Sequence, residues 1–323
     1  MIGAVLAVVL VLGVVGALVA FATIGGSRND ASTSEGTTPS FTYSPTPSSE
    51  SLVPTTTSRS PVTRDTEPST APPTTTGSAG PRAVAATSDN PIFADHNASL
   101  PNITCSFPQW TATVDAATSF FRGARTCLDR EWQPTLAAAN LPFSSPDISV
   151  PARGADATSP CSGDMSNYAA FYCPANHTIY MPLDKIQTNL YGDKWYVYLQ
   201  VFAHEYGHHV QALSGITRKE SSEMNAAGTD SDQGLEPSRR FELEAQCFSG
   251  MFIGAATYAG DLTHAQADFL AKDQYTRGDD SQRVDMHNHG LSQHYGDWFA
   301  KIGMPSDRTW KCNTWSAPSG DVS

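Results

Sequence analysis

The sequence predicts an α+β fold that is mainly helical and carries a small sheet. Apolar residues recur at helical spacing through several long segments, whereas only two short runs have the composition of strands. These segments lie between about Pro91 and Trp315, which we take as the folded domain (residues 91–315). All six cysteines fall inside it. A domain of that length can bury a hydrophobic core of its own.

The chain before this domain divides into two parts. Residues 1–26 contain no charged side chain, and the run from Ala4 to Ile24 is long enough to cross a bilayer as a helix. We expect either a retained signal anchor or a signal peptide cleaved near Ala20 to Ala22, and the length of the run favours retention. Residues 27–90 are rich in Ser, Thr, Pro and Gly and predict a disordered linker, which is either a spacer or a segment with no length requirement. Residues 316–323 are expected to be a flexible tail.

The first half of the domain predicts helices followed by a hairpin. Residues 110–136 have apolar side chains at helical spacing and predict one or two helices. A loop-rich stretch follows at 142–164. Residues 169–173 and 178–181 then predict two short strands joined by the turn-prone Pro174-Ala175-Asn176. An exposed strand at this place could pair with an extended peptide, although an ordinary hairpin covering the core fits equally.

The second half predicts four helices. Residues 193–213 carry an apolar stripe from Trp195 to Leu213, with Asp193 as a possible N-cap and Gly215 just beyond the end. Residues 228–237 are polar and predict a surface loop. Residues 240–257, 263–275 and 291–302 predict further helices.

The helix over 193–213 contains His204-Glu205-Tyr206-Gly207-His208, which predicts a zinc site. Histidines at i and i+4 lie on one face of a helix, so that both rings can bind one tetrahedral cation. Glu205 is placed to take a proton from a metal-activated water and to pass it to the leaving amine. The pattern arises by chance in roughly one chain in a hundred of this length and His content. Two buried neutral histidines would also be poorly satisfied without a metal.

Two neighbours of these ligands predict packing instead of chemistry. A glycine inside a helix costs about 1 kcal/mol relative to Ala, so Gly207 indicates a place where another element comes close. His209 points about 100° away from His208 and is expected to pack or to hydrogen-bond.

A carboxylate on the next helix is expected to be the third ligand. Glu242 and Glu244 diverge by about 200° on a helix, so at most one can face the metal. Periodicity alone leaves both open. The face of Glu242, with Ala245 and Gln246, is small and polar and suits a close approach to Gly207. The face of Glu244 is bulky and predicts core with a charge at its edge.

The cysteines and the charge bear on compartment and partners. An even number of cysteines without a C-x-x-C spacing, downstream of an export segment, indicates disulfides formed outside the cytoplasm. Proximity in sequence favours the pairs Cys105–Cys127 and Cys161–Cys173, which leaves Cys247 with Cys312. A thiolate zinc site is the weaker alternative. A net charge of −12 without a basic stripe argues against nucleic acid as a partner.

From about Phe171 to Trp315 the chain resembles the bacterial putative neutral zinc metallopeptidase family. The matching residues are Phe171-Tyr172-Cys173-Pro174, His204 to Gln211, Glu242 to Cys247, His289-Gly290 and Cys312-Asn313-Thr314. The resemblance implies a zincin-like metallopeptidase domain of the Glu-zincin type, with Glu242 as the third ligand. Gln246 stands where related HExxH proteases have Asp. By its place in the matching motif, His289 is a candidate to stabilise the oxyanion, with a surface or helix-capping role as the alternative.

These features predict a membrane-tethered, extracytoplasmic zinc peptidase. Zn²⁺ would be held by His204, His208 and Glu242, with Glu205 and His289 as catalytic residues and a peptide or protein as substrate. The predicted location is the cell membrane, through a single N-terminal helix, or the secreted fraction if that segment is cleaved. Two alternatives are a non-catalytic binding module with a zincin fold and a zinc amidase acting on cell-envelope amide bonds.

Overall fold

The computed structural model of the chain describes residues 80–164, 169–229, 231–281 and 287–323. The predicted membrane segment 1–26 and most of the predicted linker 27–90 lie outside these residues. Within the described part of the chain, every helix is too short or too polar to cross a membrane.

The described residues form a mainly helical α+β fold, as predicted. The α-helices are α1 Pro91–Ala94, α2 Val114–Ala138, α3 Thr188–Tyr191, α4 Trp195–Ser214, α5 Ile216–Ala227, α6 Asp232–Tyr258, α7 His264–Gln274 and α8 Ser292–Gly296, followed by a π-helical segment Asp297–Gly303. The strands are β1 Asp147–Ser149, β2 Thr158–Ser159, β3 Gly163–Asp164, β4 Phe171–Cys173 and β5 Thr178–Tyr180. Short 3-10 helices occur at Gly154–Asp156, Asp279–Ser281, Thr309–Cys312, Thr314–Ser316 and Ser319–Asp321.

Helix α4 lies at the centre of the core. It packs against α2, α5, α6 and α7 and against both strands of the β4–β5 hairpin. The predicted stripe is buried from Leu199 to Leu213, while Trp195 is partly buried at the start of the helix. The helix ends at Ser214 because Gly215 takes a left-handed conformation (φ 93°) that most other residues avoid. Its start differs from the prediction, since the cap position is Lys194 instead of Asp193.

Helix α6 crosses α4 at Gly207. A Cβ atom placed on Gly207 would lie 3.0 Å from the Cα and carbonyl oxygen of Ala245 and 3.2 Å from its Cβ. The absent side chain therefore lets the backbones of α4 and α6 approach closely, as predicted. This approach brings residues on either side of Ala245 next to the two histidines of α4.

The main sheet has three strands in the order β1-β5-β4. β1 pairs with β5 in parallel, and β4 pairs with β5 antiparallel, with Tyr172 opposite Ile179. This confirms the predicted hairpin and leaves β4 at the edge of the sheet, beside α4. A separate two-stranded ribbon joins β2 and β3.

Three disulfides form in the predicted pairs. Cys105–Cys127 ties the segment before α2 to that helix, and Cys161–Cys173 ties a loop to strand β4. Cys247–Cys312 fastens α6 to the C-terminal segment. All six cysteines are thereby paired.

The folded unit is wider than the predicted 91–315. Upstream, the N–H of Val84 donates to the carbonyl of Ser214 (2.9 Å), and Asn90 is 1% exposed. Downstream, Val322 is fully buried, and the carbonyl of Ser323 accepts from the N–H of Leu291 (2.9 Å). A single apolar residue holds each end, Val84 upstream and Val322 downstream. Such isolated residues leave no periodic pattern in the sequence.

Helices α5 and α6 differ from the prediction in the region 216–240. Helix α5 fills residues for which no element was predicted, and α6 begins at Asp232, within the predicted loop 228–237. Ser231 caps α6 by accepting from the N–H of Gly234 (3.0 Å). An ion pair between Glu236 and Arg240 (2.8 Å) spans the first turns of the helix. Packing of α6 against α4, α5 and the π-helical segment adds to these local interactions and offsets the hydrogen bond lost at Pro237.

Candidate metal centre

His204 and His208 project from the same face of α4, one turn apart. Both residues are buried, and their Nε2 atoms lie 3.2 Å from each other. Their ring centroids are 4.8 Å apart, with the rings nearly perpendicular. The i, i+4 spacing thus places two imidazole nitrogens at one point, as predicted.

Glu242 reaches the same point from α6. Its Oε2 atom lies 3.2 Å from the Nε2 of His204 and 3.3 Å from the Nε2 of His208. The three donor atoms therefore form a nearly equilateral triangle. A tetrahedral zinc ion with bonds of about 2.0 to 2.1 Å needs donor atoms about 3.3 to 3.4 Å apart. These three residues fit a zinc ion, and they lie together as a possible metal-binding group.

Charge in this cluster is balanced between the carboxylate and the rings. Burial alone would raise the pKa of Glu242, but the two histidines hold it well below its usual range. Burial likewise works against a charged His208, yet Glu242 raises the pKa of that ring to about 9. The cluster is thus built to hold positive charge beside Glu242, and metal binding would replace protons on these donors.

Both histidines are oriented by glutamine side chains. The Nδ1 of His204 lies 3.1 Å from the Oε1 of Gln246, and the Nδ1 of His208 lies 2.8 Å from the Oε1 of Gln211. Each amide oxygen accepts the Nδ1–H, which leaves the Nε2 lone pair directed at the metal position. The amide nitrogens are used elsewhere: Gln246 donates to Gln274 (2.7 Å), and Gln211 donates to the Phe241 carbonyl (2.8 Å).

Glu244 supports this arrangement from behind. It is fully buried, and its Oε1 accepts from the Nε2 of Gln211 at 3.0 Å. Burial raises the pKa of Glu244 to about 8, so the acid is neutral at pH 7. The prediction that Glu244 is a charge at the edge of the core is therefore wrong. Helix α5 and the C-terminal segment cover this face of α6. Glu244 contacts a residue that orients a ligand and does not itself reach the metal position.

Glu205 lies beside the donor triangle and is 3% exposed. Burial raises the pKa of its carboxyl group, while His204 and His208 act in the opposite direction. The backbone N–H of Tyr172, on the edge strand β4, donates to this carboxylate. The strand therefore holds the group that sequence analysis assigned as the general base.

His209 fixes Tyr172 against α4. The Nε2–H of His209 donates to the carbonyl of Ser144 (2.7 Å), so its Nδ1 accepts from the hydroxyl of Tyr172 (3.1 Å). The Tyr172 oxygen in turn accepts from the Nδ1–H of His177 (2.9 Å). Burial lowers the pKa of His209 to about 4, which keeps the ring neutral. His209 thus bonds between elements, as predicted, and indirectly positions Glu205.

His289 lines the same cleft and is held by Asp279. The Nδ1 of His289 lies 3.3 Å from Asp279 Oδ1, and Asp279 Oδ2 accepts from the backbone N–H groups of His289 (2.8 Å) and Gly290 (2.9 Å). Burial works against a charged His289, but Asp279 and then Glu242 raise its pKa. Its side chain is only 13% exposed, so a surface role is excluded. Both carboxylates thus favour a positive charge on this ring.

The cleft has a volume of about 230 Å³ and opens to solvent. It brings together every predicted site residue: His204, Glu205, His208, Glu242 and His289. The wall also contains residues that were not predicted for the site, among them Tyr191, Arg277 and Tyr295. Asp279 was not predicted either. Tyr191 and Tyr295 lie near the ends of short helices, and Arg277 and Asp279 lie between α7 and α8. No motif in the sequence connects these residues with the HExxH helix, so only the folded structure reveals them.

The fold and the site thus combine an HExxH motif on α4 with a glutamate from α6, and together they form a group of three side chains that could hold a metal ion. A family model described as "Putative neutral zinc metallopeptidase" matches residues 104–315, and the chain belongs to this family.

Curated relatives support the same grouping. The chain is 35% identical over 166 residues to "Uncharacterized protein YpfJ" of Escherichia coli strain K12, which is 48% of this chain and 56% of that protein. It is also 35% identical over 97 residues to "Uncharacterized protein Mb2605" of Mycobacterium bovis and to "Uncharacterized protein Rv2575" of Mycobacterium tuberculosis, which is 28% of this chain and 30% of each of those proteins. The chain thus spans about half the length, or less, of the curated relatives it matches. No solved structure matches the chain.

Proposed function

We propose that the protein is a zinc-dependent peptidase that hydrolyses peptide bonds. The observation that carries this proposal is the triangle of donor atoms from His204, His208 and Glu242, with edges of 3.2 to 3.3 Å, in a cleft that also contains Glu205. A zinc ion held by these residues would polarise the scissile carbonyl and activate water at neutral pH.

Glu205 is assigned as the general base and acid. Its carboxylate would take a proton from the attacking water and then give it to the leaving amine. Burial raises the pKa of this group, which suits a carboxylate that must accept and release a proton near neutral pH. The bond from the Tyr172 N–H keeps the carboxylate in place during both transfers.

His289 is assigned to the oxyanion that develops on the scissile carbonyl. Asp279 holds the His289 ring in a buried wall and raises its pKa, so the ring would supply a fixed N–H donor that needs little reorganisation. Edge strand β4 contributes Phe171 and Tyr172 to the wall of the cleft, which supports the proposal that an extended chain binds there. A peptide or protein is accordingly the proposed substrate.

The proposed location is outside the cytoplasm, tethered to the membrane by residues 1–26. This rests on the uncharged apolar run in the sequence and on the three disulfides, which are typical of exported proteins. Expression of the full chain, followed by membrane fractionation and protease accessibility of intact cells, tests the location. Recovery in the cytoplasmic fraction with reduced cysteines would contradict it.

The function is tested with zinc analysis and a random peptide library. The full chain purified without chelators should carry one zinc ion and cleave members of the library. Glu205→Gln should keep the zinc and lose at least about a hundredfold in rate, as expected for loss of a general base. Equal turnover by the variant and the parent protein would contradict the role assigned to Glu205. Absence of both zinc and cleavage would contradict the proposed function.

A further inference from the structure

Arg277 is a buried cation in the wall of the cleft. It lies beyond the end of α7, its side chain is 10% exposed, and it lines the same cleft as His204 and Glu242. Burial works against its charge, but Asp273 keeps its pKa above the ordinary value. A charged guanidinium at this depth is costly unless its donors are used.

The guanidinium is held rigidly on one side. Its Nε donates to Asp273 Oδ2 (2.6 Å), and its Nη2 donates to the hydroxyl of Tyr191 (3.3 Å). That hydroxyl in turn donates to Asp273 Oδ1 (2.8 Å). Among the described residues, Nη1 makes no hydrogen bond. Arg277 is therefore oriented in advance and keeps donors for a further acceptor.

The remaining charges of the cleft favour an anionic acceptor. Among the described residues that line it, the carboxylates are Glu205 and Glu242, and the proposed chemistry uses both. Lys185 adds a second cation to the wall, with its nearest carboxylate, Asp184, at 3.9 Å. Away from the metal position, the described residues of the wall thus include the cations Arg277 and Lys185 and no carboxylate, because their partners Asp273 and Asp184 do not line the cleft.

Tyr295 connects this region with the metal position. Its side chain lines the cleft, and its ring centroid lies 6.3 Å from that of His204. Because Tyr295, Arg277 and His204 line the same cleft, a substrate whose scissile bond lies at the metal position can also reach Arg277.

We propose that Arg277 forms a carboxylate-binding subsite, so that the enzyme prefers peptides with a carboxylate near the scissile bond. The carboxylate is supplied either by an acidic side chain or by the free C-terminus of the peptide. This inference rests on the proposed peptidase function and names its substrate class.

The first test uses the zinc-loaded full chain and matched peptides. Peptides that the library shows to be cleaved are remade with Glu or Gln at each position flanking the cleaved bond, and with a free or an amidated C-terminus. We expect kcat/KM to favour the carboxylate at one of these positions by about tenfold or more, the size of one charged hydrogen bond. The position at which the carboxylate raises kcat/KM shows whether an acidic side chain or the free C-terminus binds to Arg277. Equal rates for every pair would overturn the subsite and leave the peptidase function standing.

The second test removes the cation together with its partner. Arg277→Gln combined with Asp273→Asn leaves no unpaired buried charge, and Arg277→Lys keeps the charge but loses the planar donor fork. Arg122→Gln, at an exposed position of α2, is the matched control. We expect the carboxylate preference to fall to about onefold in the double variant, to decrease in Arg277→Lys and to be unchanged in the control. Zinc content and thermal unfolding verify the fold. A preference that survives in the double variant and disappears in Lys185→Gln would overturn the assignment.

Binding separates this inference from the peptidase function. Calorimetry with the zinc-loaded Glu205→Gln variant compares acetyl-Ala-Ala-Glu-Ala-amide with its Gln counterpart, and acetyl-Ala-Ala-Ala with a free or an amidated C-terminus. We expect tighter binding of the carboxylate member of at least one pair by about tenfold. Failure to cleave any peptide would contradict the proposed function alone, whereas equal affinities within both pairs would overturn the subsite.

Discussion

The Nδ1 of His204 lies 3.1 Å from the amide oxygen of Gln246, a residue for which the family resemblance leads us to expect Asp. Gln246 also accepts from Gln200 (3.3 Å) and donates to Gln274 (2.7 Å), whose amide in turn donates to Asp273 (3.3 Å). The glutamine therefore performs the orienting task of a carboxylate. In this chain of hydrogen bonds, the carboxylate nearest to His204 is that of Asp273.

Gln246→Leu tests whether this amide orients the ligand. The substitution removes the acceptor for the Nδ1–H of His204 while nearly keeping the volume, so zinc affinity should fall by about tenfold or more. Competitive titration with a chelator measures the change, and Gln293→Leu, at an exposed position, is the control. Unchanged affinity would mean that helix packing alone orients the His204 ring.

Local sequence patterns predicted the part of the site that lies on one helix. His204, Glu205 and His208 are fixed relative to each other by the i, i+4 geometry, so their arrangement followed from spacing alone. Glu242 was more difficult to assign, because the sequence indicated only that one face of its own helix, α6, is small and polar. The close contact between Gly207 and Ala245 explains why that face was the right one.

The remainder of the site depends on contacts between distant segments. Arg277 lies in irregular backbone and Asp279 begins a short 3-10 helix between α7 and α8, where no periodic pattern indicates which way a side chain points. The complete burial of Glu244 was missed for a similar reason. Its cover comes partly from α5, for which no element was predicted, and from the C-terminal segment that Cys247–Cys312 fastens to α6.

Substitution of the two glutamates of α6 distinguishes a ligand from a supporting residue. Glu242→Ala removes one corner of the donor triangle and should weaken zinc binding strongly and abolish hydrolysis. Glu244→Ala leaves Gln211 bonded to the Phe241 carbonyl, so zinc affinity should stay within about threefold. Metal titrations of both variants measure this difference. The opposite ranking would make Glu244 the third ligand.

Gly207→Ala tests the close contact of α4 and α6. The added methyl group would lie 3.0 Å from two backbone atoms of Ala245, so the helices must separate. We expect a loss of about 1 to 3 kcal/mol in the free energy of unfolding. Zinc affinity should fall as well, because the ligands come from both helices. Gly320→Ala, where no atom lies within 4 Å of the new Cβ, is the control in thermal unfolding and metal titration. Equal stability of the two variants would show that the helices adjust without cost.

Glu131 on α2 is fully buried, and among the described residues neither of its carboxyl oxygens has a hydrogen-bond partner. Burial, and then Asp261, raise its pKa from 4.5 to about 9. The folded state therefore keeps a proton that the unfolded state releases above about pH 4.5. A pKa that is higher in the folded than in the unfolded state contributes its full stabilisation at pH values below the unfolded-state pKa. This contribution is lost as the pH rises towards about 9, and the free energy of unfolding then falls by up to about 1.4 kcal/mol per pH unit.

Glu131→Gln removes this titration while keeping a neutral side chain of similar size. The variant should be more stable than the parent protein at pH 8, and its stability should depend less on pH between about 5 and 9, because the cost of protonating the buried acid is gone. Urea unfolding of the zinc-loaded full chain across this range measures both effects. Asp268→Asn, an exposed carboxylate on α7, should leave the pH profile unchanged. Parallel profiles for Glu131→Gln and the parent protein would show that Glu131 is ionised in the folded state, paired with a cation or water that enters beside the Cys105–Cys127 disulfide.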